Sequence, residues 1–341
     1  MRAIVYAEKG PSSVMHLVER PAPEPGPGQV RVRLVRAGVN PTDWKARSGA
    51  TSAMGFAEVT PGQDGAGVVD ALGADVPELA AGDRVWLYLG QHGLPYGTAA
   101  EYCVLDWHRA VRLPEVPDAF DLGACLGVPA VTAHRALTSG PRASRLGPGA
   151  LAGQVVLVHG GAGAVGNAAI QLAAWSGATV LSTVSSPEKA ALASAAGARH
   201  AVNYRAQDAR AAISALAPDG VDLVVEVSPA VNNELDLAVA RNGATIAIYA
   251  NNGGDQFSVD IRKTFSLNLR YQFLLLYTLD PAQLAAAAAD VTAAVAAGAL
   301  RAGDKAGLPL HHYPLEAAPA AHDAVEQGAV GKVLIDVTAA E

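Results

Sequence analysis

The sequence predicts an α/β chain of two domains, one a doubly wound parallel sheet and the other mostly β. Three observations predict this. An apolar run, Val155 to His159, ends in a glycine cluster where Gly161, Gly163 and Gly166 fit G-x-G-x-x-G, and a helical pattern starts at once. From about residue 121, short apolar runs alternate with helical segments, as βαβ units do. Before that point the chain is rich in β-branched residues, Gly and Pro, in short runs bounded by turn residues.

In chain order, Met1-Arg-Ala-Ile-Val-Tyr6 goes straight into a strand pattern, with no apolar leader or cleavage site. Pro21 to Gly28 is a loop by composition. Val30–Val35 and Gly67–Leu72 read as half-buried strands, with Arg31, Arg33 and Arg36 interrupting the apolar positions. Ser139–Gln154, with Gly-Pro at 140 and 147, is a surface loop. The strands of the parallel sheet are Val155–Val158, Thr179–Val184, His200–Asn203, Val221–Val225 and Thr245–Tyr249. The helix after the glycines puts Val165, Ala168, Ala169, Leu172 and Ala173 on one face. Ala282–Ala299 contains Asp290 and Thr292 and few large apolar residues, so it reads as a helix and not a membrane span. Lys332–Val337 is a last strand, expected to rejoin the first domain. The expected division is 1–120 with 265–341, and 121–264.

Composition excludes several classes. The 341 residues suffice for two domains with sizeable cores, and half are apolar. A net charge of −7 argues against a nucleic-acid partner. Cys103 and Cys125 are the only cysteines. They make no disulfide framework and point to a reducing, cytoplasmic setting. Both read as small core residues.

The glycine cluster carries chemistry. The first Gly permits a tight turn, the second lets backbone approach a pyrophosphate, and the third lets helix pack on strand. The helix start then offers free N–H groups to the anion. At the end of the second strand, NAD-binding folds place an acid for the ribose. Here Thr183-Val-Ser-Ser-Pro-Glu-Lys189 carries Ser185 and Ser186 instead. Hydroxyls, with Lys189 one turn on and Arg205 after the next strand, favour a 2′-phosphate and hence NADPH. The competing reading of Ser185-Ser186 is a helix N-cap.

With those residues in view, the chain resembles the medium-chain dehydrogenases/reductases, and among them the zinc-free quinone oxidoreductases that include ζ-crystallin. The resemblance runs nearly end to end. It rests on Ala37-Gly-Val-Asn-Pro-Thr-Asp43, Pro61-Gly-Gln-Asp-Gly-Ala-Gly-Val68, Ala81-Gly-Asp-Arg-Val85, Pro129 to Leu137, the glycine motif, Asn203-Tyr-Arg205, Tyr313-Pro-Leu-Glu316 and Gly331-Lys332. It implies a discontinuous GroES-like β domain and a Rossmann domain, with the active site in the cleft between them. Zinc-dependent relatives carry a Cys at the place of Asn40 and a His at the place of Gln63. Those ligands are missing here, so no metal is expected.

The resemblance implies roles residue by residue. Asn40 and Thr132 lie near the nicotinamide, with a turn and a helix cap as their competing readings. Gly161, Ala162, Gly163, Ala164, Val165 and Gly166 form the pyrophosphate loop. Ser185, Ser186, Lys189 and Tyr204 serve the adenosine end. Asn232, Tyr249, Ala250, Asn251, Phe273, Leu274 and Lys332 are further cofactor contacts, Ala250 standing where the family has Gly. Lys45 replaces a usual Tyr, which puts the aromatic wall in doubt. Tyr271–Tyr277 is the edge strand through which family members pair sheets as homodimers, and tetramers are open. His134 and His159 have no partner at ligand spacing and read as structural, as do His311 and His312. The implied activity is NADPH-dependent, zinc-independent reduction of quinones. One alternative is an enone or enoyl reductase, with Asp43, Lys45, Tyr88 or Tyr96 as acid. The other is a non-catalytic, ζ-crystallin-like NADPH- or RNA-binding protein.

Overall fold

The computed structural model describes residues 1–51 and 53–339. The chain divides into two compact units, Met1–Val128 with Pro309–Glu341, and Pro129–Leu308.

In chain order, the first unit opens with β1 (Arg2–Val5) and β2 (His16–Glu19), an antiparallel pair. Then come β3 (Gln29–Val39), α1 (Pro41–Ser48), β4 (Asp64–Leu72), β5 (Arg84–Leu87), β6 (Tyr102–Asp106), β7 (Ala110–Arg112), α2 (Ala119–Gly123) and the start of α3 (Gly127–Leu137). Gln29–Leu34 alternates between partly exposed and buried positions, as a one-faced sheet requires, while the second half of β3 and the start of β4 are mostly buried. Both predicted strands lie within longer ones. Their buried side chains form a core of Val30, Val32, Leu34, Val69, Val85 and Leu105 with Ile4 and Cys103.

The second unit contains β8 (Val155–His159), α4 (Ala164–Trp175), β9 (Thr179–Val184), α5 (Pro187–Ala195), β10 (His200–Asn203), α6 (Ala209–Leu216), β11 (Val221–Glu226), α7 (Pro229–Val239), β12 (Ala240–Ile248), α8 (Ile261–Ser266), β13 (Arg270–Phe273) and α9 (Pro281–Ala296). Among the described residues its strands order β10-β9-β8-β11-β12-β13, all parallel. That is the doubly wound order, in which ligands bind beyond the carboxyl ends of the strands, where the order reverses between β8 and β11. Its central strands carry the apolar runs Val155–Val158 and Leu223–Val225, as burial on both faces demands, and end on His159 and Glu226. Leu157, Leu181, Val224 and Ile246 form the core.

The chain returns to the first unit with β14 (Leu310–Pro314), α10 (Ala318–Glu326) and β15 (Lys332–Asp336). β15 pairs antiparallel with β3, so the last strand does rejoin the first unit. The return comes at Pro309 and not at 265. β13 extends the parallel sheet as a sixth strand, and α9 supplies helical cover, so 265–308 stay with the second unit. Ser139–Gln154 contains neither helix nor strand.

Candidate active site

In the second unit, β8 ends at His159 and the chain turns through Gly160, with φ +69, into the glycine loop. A Cβ at Gly161 would meet Ser182 Oγ at 2.1 Å, and one at Gly166 would meet the Gly160 carbonyl at 2.3 Å. These two glycines are needed for packing. Gly163 differs: its Cβ would meet only the Gly160 carbonyl, at 3.4 Å, and its face is exposed. Gly163 is the N-cap of α4 and no side chain caps the helix. The first backbone bond of the helix runs from Asn167 N–H to the Gly163 carbonyl, so the N–H groups of Ala164, Val165 and Gly166 precede it. The loop is an open anion cradle.

At the tip of β9, Ser186 caps α5, its Oγ accepting from Lys189 N–H at 3.3 Å. The Lys189 ammonium donates to Ser185 Oγ at 3.2 Å. Ser186 therefore takes the capping role, and Ser185 with Lys189 remains as a hydroxyl–ammonium pair. Tyr204 follows β10, half-exposed, its N–H on the Val184 carbonyl at 3.1 Å, and Arg205 beside it is exposed.

The other predicted cofactor contacts of this unit follow the carboxyl ends of β11 and β12 or end β13: Asn232 on the first turns of α7, Tyr249 to Asn251 after β12, and Phe273 and Leu274 at the end of β13. Asn232 donates to Glu226 Oε1 at 3.0 Å. The Tyr249 N–H bonds the Glu226 carbonyl, and Asn252 N–H bonds Val227. Ala250 is partly exposed and Asn251 donates to Asp255. Leu274 N–H bonds Ile248, while the Phe273 side chain is 61% exposed. Thr132 is the sixth residue of α3, too far in to cap it, and is buried.

His159 acquires partners the sequence does not announce. Its Nδ1 lies 2.7 Å from Thr183 Oγ1 and its Nε2 2.8 Å from Asp236 Oδ1, with Glu226 Oε2 at 3.5 Å. Burial works against the imidazolium, yet the Asp236 and Glu226 carboxylates hold its pKa above the usual value. Burial pushes Glu226 up to about 7; His159 opposes and Asp236 adds to the shift. These acids lie 67 and 77 positions from His159, beyond any spacing rule; a lone Glu ending a buried strand was the available signal.

In the first unit, Asn40 caps α1, its N–H donating to Asp43 Oδ2 at 2.7 Å. Its side-chain amide donates to Asp64 Oδ2 at 2.8 Å and accepts from Lys332 Nζ at 2.7 Å, and Lys332 also donates to Asp64 Oδ2 at 2.8 Å. Lys332 is 1% exposed and Asp64 is fully buried. This places the Lys332 ammonium on Asn40 and Asp64, where the resemblance implied a cofactor contact. Gly38 makes the room, since a Cβ there would fall 2.8 Å from Lys332 Cε. Burial pushes Asp43 up to about 7; the Asn40 N–H opposes it and the Asp64 charge adds to it. The Gln63 amide is paired with Gln91.

A profile for the GroES-like domain of alcohol dehydrogenases matches residues 26–115, and one for zinc-binding dehydrogenases matches 164–293. Human quinone oxidoreductase is 30% identical over 98% of this chain and 97% of its own length. The chain belongs to the quinone oxidoreductase family of the medium-chain dehydrogenases/reductases. It is an NAD(P)-dependent oxidoreductase. Among solved structures, an NAD-dependent alcohol dehydrogenase is 30% identical with a TM-score of 0.86, covering 99% of this chain and all of its own. A mycobacterial protein complexed with NADPH is 26% identical with a TM-score of 0.81, covering 98% of this chain and 99% of its own. Among the described residues, no helix is long and apolar enough to cross a membrane.

Proposed function

We propose that this chain transfers a hydride from NADPH to quinones, without zinc. The carrying observation is the adenosine end of the second unit: the Lys189–Ser185 pair and exposed Arg205 stand where an NAD-binding fold would hold an acid. A 2′-phosphate gains charge-assisted hydrogen bonds there. Ala164, Val165 and Gly166 would hold the pyrophosphate by backbone N–H groups, over a Gly163 that leaves the approach open. When bound, the cofactor supplies the hydride; the residues bind it, orient it and keep the acceptor against it.

Zinc does not fit the residues of the first unit. Asn40 and Gln63 offer amides already paired, and the Asp64 carboxylate is bound to an ammonium. No thiolate or imidazole is among them, and the one carboxylate, Asp64, already holds an ammonium at 2.8 Å that repels a second cation. Chelators are expected to leave activity intact. Without a Lewis acid, the acceptor has to be electron-poor already, which a quinone is. The enone reading needs a proton donor. Asp43 is 4% exposed and accepts the Asn40 N–H, and the Tyr88 hydroxyl is engaged by the His108 carbonyl at 2.9 Å, so neither side chain is open to an acceptor.

The test is cofactor oxidation, followed by loss of nicotinamide absorbance, with NADPH and NADH against quinones, a 2-enone, a 2-alkenal and an enoyl thioester. Fast NADPH turnover with quinones is expected. Turnover confined to the enones or the thioester overturns the quinone reading, and equal rates with NADH overturn the NADPH reading.

A further inference from the structure

One cluster in the second unit is used by none of the chemistry above, and it lies under the carboxyl ends of the strands that form the crevice. His159 ends β8, Thr183 is at the end of β9, Glu226 ends β11, and Asp236 lies on α7. All four are buried, and His159, Asp236 and Glu226 are each at most 2% exposed. His159 joins Thr183 and Asp236 by hydrogen bonds of 2.7 and 2.8 Å. Glu226 Oε1 accepts from Ser228 N–H and from Asn232 Nδ2. Ser228 Oγ in turn donates to the Asn252 carbonyl at 2.5 Å. One carboxylate therefore holds the loop after β11, and through it the loop after β12.

Two oxygens in this cluster have no hydrogen-bond partner: Asp236 Oδ2, and Glu226 Oε2, which has only the His159 ring 3.5 Å away. A buried unpaired acceptor costs about 1–3 kcal/mol, and native folds rarely tolerate it. Two such oxygens on neighbouring carboxylates have a common remedy, a single proton between them. With His159 as the imidazolium, the cluster then holds one positive charge, one negative charge and one neutral acid. It is electrically balanced, as a fully buried group of charges has to be.

We propose that His159, Asp236 and Glu226 hold one exchangeable proton beneath the dinucleotide crevice, and that Glu226 is a positioning residue through which this proton sets cofactor affinity. The inference rests on the reading that the second unit binds NADPH. Losing the proton leaves a net buried negative charge under a site built for a pyrophosphate. Binding of the polyanion therefore favours the protonated cluster, and by linkage the protein takes up protons as it binds. The groups facing Glu226 are His159 from β8, Asp236 from α7 and Tyr249 after β12. Burial keeps the Tyr249 phenol neutral, its pKa raised, so it adds no charge. Glu226 is poised to titrate near neutrality, at about 7.

The experiment is calorimetry of NADPH binding slightly above neutral pH, in buffers of different ionisation enthalpy, on the wild-type chain and on Glu226→Gln. The amide can accept from Ser228 and donate to Asp236 but cannot titrate. The wild type is expected to take up a fraction of a proton that E226Q does not. Its NADPH Kd should weaken as pH rises through neutrality, by at most about tenfold per pH unit, more steeply than that of E226Q. Equal uptake by the two proteins overturns the proposal while leaving the dinucleotide site standing. No binding by the wild type overturns the dinucleotide reading itself, and the proposal with it. If E226Q lacks a cooperative melt, Asp236→Asn gives the same readout. Its amide satisfies Glu226 Oε2 without a proton, and uptake that persists in D236N overturns the proposal.

Discussion

Gly163 separates folding from binding at a single atom. A Cβ there meets nothing closer than 3.4 Å within the protein, whereas at Gly166 it would strike a carbonyl at 2.3 Å. Gly163→Val should therefore fold and lose NADPH affinity by at least about 100-fold, roughly 3 kcal/mol, because the branched side chain fills the pyrophosphate approach. Tight NADPH binding by a folded variant, measured by fluorescence titration, would refute the loop assignment. At the other end of the cofactor, Lys189→Ala should weaken NADPH about tenfold and leave NADH unchanged, since only the 2′-phosphate calls on the ammonium. Lys332 is a different kind of residue. Its ammonium neutralises Asp64 in the core, and removing one partner of a buried pair leaves the other uncompensated. Lys332→Met should lower unfolding free energy by about 3–5 kcal/mol in urea titrations, and adding Asp64→Asn should recover much of that loss. If the second change gives no recovery, the charge pair is not the cause.

Between elements, α9 holds down the long segment after α3. Asp290 on α9 accepts from Arg145 Nε at 2.9 Å, from Leu146 N–H at 2.7 Å and pairs with His134 Nε2 at 2.8 Å. Asp290 is 4% exposed, and burial opposes its ionisation while Arg145, Leu146 and His134 outweigh it, so its pKa lies below the usual carboxylate range. Asp290→Ala should cost about 2–4 kcal/mol by stranding these donors, and hydrogen exchange should rise at residues 144–150 before the strands. Protection unchanged in that segment would show that something else holds it. The elements themselves were legible, because glycine spacing and apolar runs are local signals. Their tertiary partnerships were not. His159 read as isolated because Glu226 and Asp236 reach it only through the β8–β11 pairing, a contact between strands distant in sequence. Lys332 could have raised suspicion as a lone cation in an apolar strand, but its target depends on the β15–β3 register and on the space left by Gly38. The domain boundary at 265 failed because β13 is a short strand before a helix, and nothing local says which sheet it joins.

The scale of the whole molecule turns on the edge of the parallel sheet. β13 pairs with β12 on one side, and among the described residues no strand lies on the other. Exposed edges are normally blunted by charge or proline, because unpaired N–H and C=O groups invite another strand. Here β13 carries one charge, Arg270 at its start, and Tyr271 to Leu275 after it carry neither charge nor proline. Phe273 is 61% and Leu275 56% exposed, with Ile261 at 75% and Phe265 at 61% on the preceding helix. Apolar exposure of that kind on an open edge fits an interface with a second copy. A second copy, related by a two-fold axis, would continue the sheet through an antiparallel β13–β13 pair and bury both patches at once. The chain is therefore expected to run as a dimer in light scattering. Leu275→Asp with Ile261→Asp should shift it to the mass of one chain by setting like charges across the axis. A wild-type mass of one chain would leave the edge unexplained and overturn the dimer. A dimer that survives both substitutions would place the interface elsewhere.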